Sequence, residues 1–260
     1  MCRWAAYIGA PIYLEDVITA PGQSLIQQSL HAQQSVTETN GDGFGVAWYG
    51  ERGTPGLYRD VLPAWSDSNL FSIAHQVRSG LFMAHVRAAT GTATSRANCH
   101  PFAVDQWTFM HNGQVGGYNQ FRRQVDMGIS DGCYAHRAGT TDSEALFLMA
   151  LGEGLTTDPK GALERATGKL EKLSRETGQT PHIRMTVAIS DGNRLFAARY
   201  ASDEHAPTLY HRKFEKTGGR AVVSEPLDAD TSEWVALPPA SFAELTADGA
   251  DVTSFKPVLA

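Results

Sequence analysis

Two strand-like runs, Arg184–Ile189 and Arg194–Tyr200, are joined across Asp191-Gly192, a turn dipeptide that closes antiparallel hairpins. Parallel neighbours need a long crossover instead, so a chain joined this way is not a purely parallel doubly wound sheet. Further strand-like runs fall at Met1–Gly9, Gly43–Tyr49, Leu57–Asp60, Leu81–Arg87, Trp107–His111 and Gly219–Val223. The run at Trp107 leads into Asn112-Gly113, which reads as a tight turn. Helical patterns occupy Ser24–Gln34, Asn69–Ser79, Thr141–Leu151 and Lys160–Thr177, the last with Leu163, Ala166, Leu170 and Leu173 on one face. Strands and helices in consecutive runs predict a layered α+β fold. With no repeat and no low-complexity linker, residues 1–260 read as a single domain.

Composition narrows the function classes by exclusion. The net charge is −6 and the basic residues are scattered, so no basic stripe suggests a nucleic-acid partner. No apolar run approaches the ~18 residues of a membrane span, and the opening MCRWAAYIGAPIYLED lacks the apolar core of a signal peptide. Three cysteines, Cys2, Cys99 and Cys133, are an odd and small set that predicts a reducing, cytoplasmic setting without a disulfide framework. Cys99-His100 and Cys133-Tyr134-Ala135-His136 offer soft ligands but do not match a usual zinc spacing, so no metal is expected.

Cys2 is the residue with the most chemistry. Once Met1 is removed, it carries a thiol of reference pKa ~8.5 and an α-amine of ~7.7–8.0 on one residue, a nucleophile with its own base. The alternative is a small buried hydrophobe, as free cysteines commonly are. Four other segments each admit two readings. Asn40-Gly41-Asp42-Gly43-Phe44-Gly45 is a turn before a strand or a specialised glycine loop. In His85-Val86-Arg87-Ala88-Ala89-Thr90-Gly91, Arg87 offers a planar fork to a carboxylate or makes a surface ion pair. In His111-Asn112-Gly113, a side-chain amide and a following N–H converge on one oxygen, or the pair makes a hairpin turn. Thr141-Asp142-Ser143-Glu144 fits a helix capping box, with Asp142 a favourable charge in the first turn.

Taken in order with Asn98-Cys99-His100-Pro101, these motifs resemble the class II glutamine amidotransferases, whose glutaminase domain is an N-terminal-nucleophile hydrolase. The resemblance covers roughly residues 2–150 and extends to about 237 through Val223-Ser224-Glu225-Pro226-Leu227; the standalone members, such as the γ-glutamyl amidohydrolase of ergothioneine biosynthesis, are the most similar. It implies a four-layer αββα sandwich with no metal or organic cofactor. It also implies that Cys2 attacks the side-chain amide carbon of glutamine with its α-amine as base. Asn112 (side chain) and Gly113 (N–H) would form the oxyanion hole, Arg87 would bind the α-carboxylate and Asp142 the α-ammonium of a γ-glutamyl substrate. The γ-glutamyl-thioester on Cys2 would then be hydrolysed. Ala88 stands where fused synthases carry Trp, and Asn40-Gly41 replaces an Arg-Gly pair, so substrate choice beyond the γ-glutamyl group stays open. No synthase domain accompanies these motifs, so an ammonia-accepting synthase would act in trans or be absent. Two alternatives stand beside glutaminase: hydrolysis of a larger γ-glutamyl metabolite, and a non-catalytic γ-glutamyl-binding regulatory module, which would need neither nucleophile nor oxyanion hole.

Overall fold

The computed structural model describes residues 2–32, 39–89, 91–215 and 217–259. Met1, Thr90 and the last two residues of the helix expected at Ser24–Gln34 lie outside them. The strands are β1 (Arg3–Tyr13), β2 (Phe44–Trp48), β3 (Gly56–Asp60), β4 (Arg78–Val86), β5 (Phe102–Val104), β6 (Trp107–Val115), β7 (Ile183–Ser190), β8 (Leu195–Ala201), β9 (Tyr210–Phe214), β10 (Gly219–Val223), β11 (Val235–Ala236), β12 (Ser241–Leu245) and β13 (Ala250–Ser254). The helices are α1 (Glu15–Ile18), α2 (Leu25–Leu30), α3 (Ser68–Gln76), α4 (Tyr118–Gly128), α5 (Asp131–Tyr134), α6 (Asp142–Gly152) and α7 (Pro159–Thr177).

Two antiparallel sheets result, ordered β11-β9-β10-β1-β4-β2-β3 and β13-β12-β8-β7-β6-β5. Alternation along the central strands explains how they stack. In β1, Ala5 and Tyr7 join the layer under α1–α3, while Trp4 and Ala6 point the other way. In β4, Phe82, Ala84 and Val86 join the same helical layer, while Leu81 and Met83 meet Met110 of β6, Ala188 of β7 and Ala197 of β8 between the sheets. The far face of the second sheet is covered by α4, α6 and α7 around Phe109, Val187 and Phe196. Helix α6 is apolar from Ala145 to Ala150 and buried throughout, as a helix apolar on all sides must be. The expected αββα layering is the one observed.

The sequence reading fails at Asn112-Gly113. There is no turn there: β6 runs on to Val115, with Asn112 opposite Thr186 and Gly113 opposite Met185. Gly113 is required by close approach instead, because a Cβ on it would lie 1.9 Å from the Arg184 carbonyl oxygen. The chain turns only at Gly116-Gly117, where Gly117 (φ +71) precedes α4. At the Asp191-Gly192 hairpin, β7 and β8 close at Ser190 opposite Leu195. The longer loop is held by the Asp191 carboxylate, which accepts the N–H groups of Asn193 and Arg194.

Candidate active site

Cys2 lies immediately before β1, half-buried, with its Sγ accepting the Ala88 N–H at 3.4 Å and lying 3.6 Å from the Ala88 carbonyl. Burial pushes the thiol up; the contact with Ala88 and the charges of Arg87 and Arg3 pull it down less strongly. The thiol is therefore protonated at neutral pH and needs a base to attack.

Arg87 follows β4 and is buried. Its guanidinium donates to the Asp42 carbonyl (3.2 Å), Thr92 Oγ1 (2.6 Å) and the Ala93 carbonyl (3.4 Å). Among the described residues it has no carboxylate partner, so the surface ion pair allowed by the sequence does not form. Asp42 locks the loop after β4, accepting the Ala89 N–H at 2.7 Å. Main-chain bonds from Arg87 to Gly43 and from Asp42 to Arg87 lace the two segments together. Gly43, at φ +112, has no room for a side chain: a Cβ would sit 2.6 Å from Cys99 Sγ. The glycine loop is thus the floor under the Arg87 segment rather than an ordinary turn.

The second sheet and α6 supply the opposite wall. The Asp142 carboxylate, in the first turn of α6, accepts the Val115 N–H (2.8 Å) and the Ser143 N–H (2.9 Å). The His111 ring sits 2.8 Å from Ser143 Oγ through Nδ1, and its buried Nε2 faces the Arg184 main chain. Asn112 is buried too, and neither atom of its amide has a hydrogen-bond partner among the described residues.

A cavity of about 610 Å³ opens between these walls and is lined by Cys2, Arg87, Gly113 and Asp142 together. Asn112 does not line it but is flanked by His111 and Gly113, which do. The cavity continues past Tyr118 to Gln179, Thr180 and Arg184. One end thus carries a guanidinium with no acidic partner among the described residues, a fixed carboxylate and a thiol. That arrangement fits an amino-acid zwitterion with an electrophilic carbon held at the sulfur. Among the described residues no group of three or more His, Cys, Asp or Glu side chains is arranged for a metal ion.

The family model for glutamine amidotransferases class-II matches residues 16–218. The chain belongs to that family. It is an amidotransferase-type hydrolase, as its relatives' names also indicate. It is 31% identical to the "Probable glutamine amidotransferase DUG3" of Saccharomyces cerevisiae, over 92% of this chain and 80% of the relative. It is 30% identical to the "Gamma-glutamyl-hercynylcysteine sulfoxide hydrolase" of Mycolicibacterium smegmatis, over 92% of both. A solved glutamine aminotransferase class-II domain protein from Silicibacter pomeroyi superposes with a TM-score of 0.82 at 50% identity, over 99% of this chain and 100% of that one.

Sequence reasoning did not assign several residues that build this amidotransferase cavity. His111 and Ser143 lie inside the motifs but have no assigned role there, and His100 is read as a soft ligand and as part of the Asn98-Cys99-His100-Pro101 motif. Gln179 and Arg184 carry no local signal: Arg184 reaches the cavity because β7 pairs with β6, and Gln179 lies in the connection between α7 and β7.

Proposed function

We propose that this amidotransferase hydrolyses the amide of a γ-glutamyl compound through a thioester on Cys2, the whole chain acting as one catalytic domain. The observation that carries the reading is the convergence of Cys2, Arg87, Gly113 and Asp142 on one cavity, with Arg87 free of any described acidic partner. Arg87 takes the α-carboxylate and Asp142 the α-ammonium, which holds the amide carbon at Sγ. Met1 is removed first. The Cys2 thiol then passes its proton to the α-amine, and the thiolate adds to the carbon. Negative charge collects on the amide oxygen and is met by the Gly113 N–H and the Asn112 amide, whose unpartnered state supports that role. The α-ammonium returns the proton to the departing amine as the C–N bond breaks. Water, deprotonated by the same amine, cleaves the thioester to glutamate.

A leaving group larger than ammonia is favoured by the cavity's continuation to Gln179, Thr180 and Arg184. The M. smegmatis relative, named for a bulky γ-glutamyl substrate, points the same way. Where ammonia is the product, it is handed to a synthase in trans. The test is release of glutamate from L-glutamine and of p-nitroaniline from γ-glutamyl-p-nitroanilide by Met1-free protein, beside Cys2→Ala. Turnover of either substrate that Cys2→Ala abolishes is expected. Turnover that survives in Cys2→Ala overturns the mechanism. Release from the anilide but not from glutamine selects the larger substrate.

A further inference from the structure

Two buried charges, Arg3 and Glu225, stand directly behind the nucleophile. Arg3, the first residue of β1, is 1% exposed, and its Nε and Nη2 both lie 2.5 Å from Glu225 Oε1. Glu225 is itself 3% exposed, in the segment that follows β10. The remaining arm of the same guanidinium, Nη1, donates to the main-chain carbonyl of Cys2 at 2.9 Å. The Glu225 segment is fixed in turn: Ser224 Oγ accepts the Trp4 N–H (3.1 Å), Ser224 N–H donates to the Trp4 carbonyl (3.0 Å), and Gln28 Nε2 donates to the Glu225 carbonyl (3.2 Å).

Burying a lone ion pair is a poor way to stabilise a sandwich, because two apolar side chains of similar size commonly do as well or better. What apolar side chains cannot do is hold a carbonyl. Cys2 precedes β1, whose pairing with β4 starts at Arg3 opposite Val86. The position of the sulfur relative to the carbon it attacks therefore depends on how the Cys2 main chain is tethered. A planar guanidinium locked by a carboxylate on one side supplies a donor of fixed direction on the other.

We infer that Arg3 and Glu225 form a positioning pair for the nucleophile: Glu225 orients Arg3, and Arg3 fixes the Cys2 carbonyl so that Sγ meets the γ-carbon of the substrate. The inference rests on Cys2 being the nucleophile. The pair touches no substrate, so its removal lowers kcat and leaves KM, which depends on Arg87 and Asp142, nearly unchanged.

The experiment compares wild type, Arg3→Lys and the double variant Arg3→Met with Glu225→Leu, each confirmed by intact mass to lack Met1. Steady-state kinetics on γ-glutamyl-p-nitroanilide and L-glutamine are read beside the thermal midpoint. Wild type lacking Cys2-dependent turnover of both substrates defeats the reading of Cys2 itself. With that turnover in hand, the double variant is expected to melt within a few degrees of wild type, with kcat down about 100-fold and KM within about threefold. Arg3→Lys keeps the charge pair but lacks the fork, and is expected to lose kcat at least tenfold with its thermal midpoint held. Near-wild-type kcat in either folded variant overturns the proposal, as does a loss carried by KM alone. Should the double variant not fold, Arg3→Lys decides the matter by the same criteria.

Discussion

At Asn112 and Asp142 a single side chain separates binding from chemistry. The Gly113 donor is a main-chain N–H that survives every substitution except proline, whereas the neighbouring Asn112 amide can be deleted. If that amide meets the oxyanion, Asn112→Ala lowers kcat by about 100- to 1,000-fold with KM little changed, the loss typical of one missing donor. A raised KM with full kcat, read from steady-state kinetics on γ-glutamyl-p-nitroanilide, would exclude the role. Asp142 is expected to behave in the opposite way. Its carboxylate is held by the Val115 and Ser143 N–H groups in a fixed position on the cavity wall. Asp142→Ala should weaken substrate binding by roughly 1.5–3 kcal/mol, the range for a charge-assisted bond, and should raise KM accordingly. A drop in the fraction of folded protein with KM intact would show instead that Asp142 acts only on its helix.

The N-terminal end of α6 shows what the sequence can and cannot say about an element. Thr141 caps the helix as expected, its side chain accepting the Glu144 N–H at 3.2 Å. The other half of the capping box is absent. The Glu144 carboxylate turns back to accept the Ala138 (3.0 Å) and Gly139 (2.8 Å) N–H groups and pairs with buried Arg137 at 2.7 Å. Glu144→Ala takes one of two carboxylates from Arg137, which keeps Asp126 at 3.2 Å, and leaves the Ala138 and Gly139 N–H groups without their acceptor. It should cost roughly 1.5–3 kcal/mol of stability, against about 1 kcal/mol for Thr141→Ala. Denaturant unfolding of both variants tests the ranking, and equal losses would contradict it. The same contrast explains what was legible beforehand. Periodicity located β10 at Gly219–Val223 and α7 within a residue, because their burial follows local pattern. It missed α1, α4, α5, β5, β9, β11, β12 and β13. It also misread Asn112-Gly113, because a glycine forced by a neighbouring strand looks the same in sequence as a glycine that makes a turn. Of the candidate site, Cys2, Arg87, Asn112, Gly113 and Asp142 were legible as motifs and His111 lay inside one without a role, whereas Arg184 gained its place only from the pairing of β7 with β6.

The two sheets bring together around the cavity not only the proposed site but three buried imidazoles. His85 on β4 stacks on His100 at 4.2 Å between ring centroids, and both rings are buried. Burial, opposed in part by a hydrogen bond with the His111 main chain and reinforced by the Arg87 charge, holds His85 down to about 3, and burial lowers His100 and His111 as well. Above about pH 6.5 these rings are neutral in both the folded and unfolded chain, so they cost nothing there. As pH falls below that value the unfolded chain takes up protons that the folded chain refuses. Stability therefore drops with falling pH, and for His85 the drop continues until about pH 3. Each excluded proton is worth roughly 1.4 kcal/mol per pH unit. Carboxylates titrate near pH 4 and contribute little above pH 5. Unfolding free energy measured between pH 7.5 and 5.5 should thus fall by about 1.4 kcal/mol or more, with protons taken up on unfolding. A flat profile across that window would mean the imidazoles are accessible to protons in the folded sandwich. His85→Gln, which removes one titrating ring from between the sheets, should reduce the slope by about one proton.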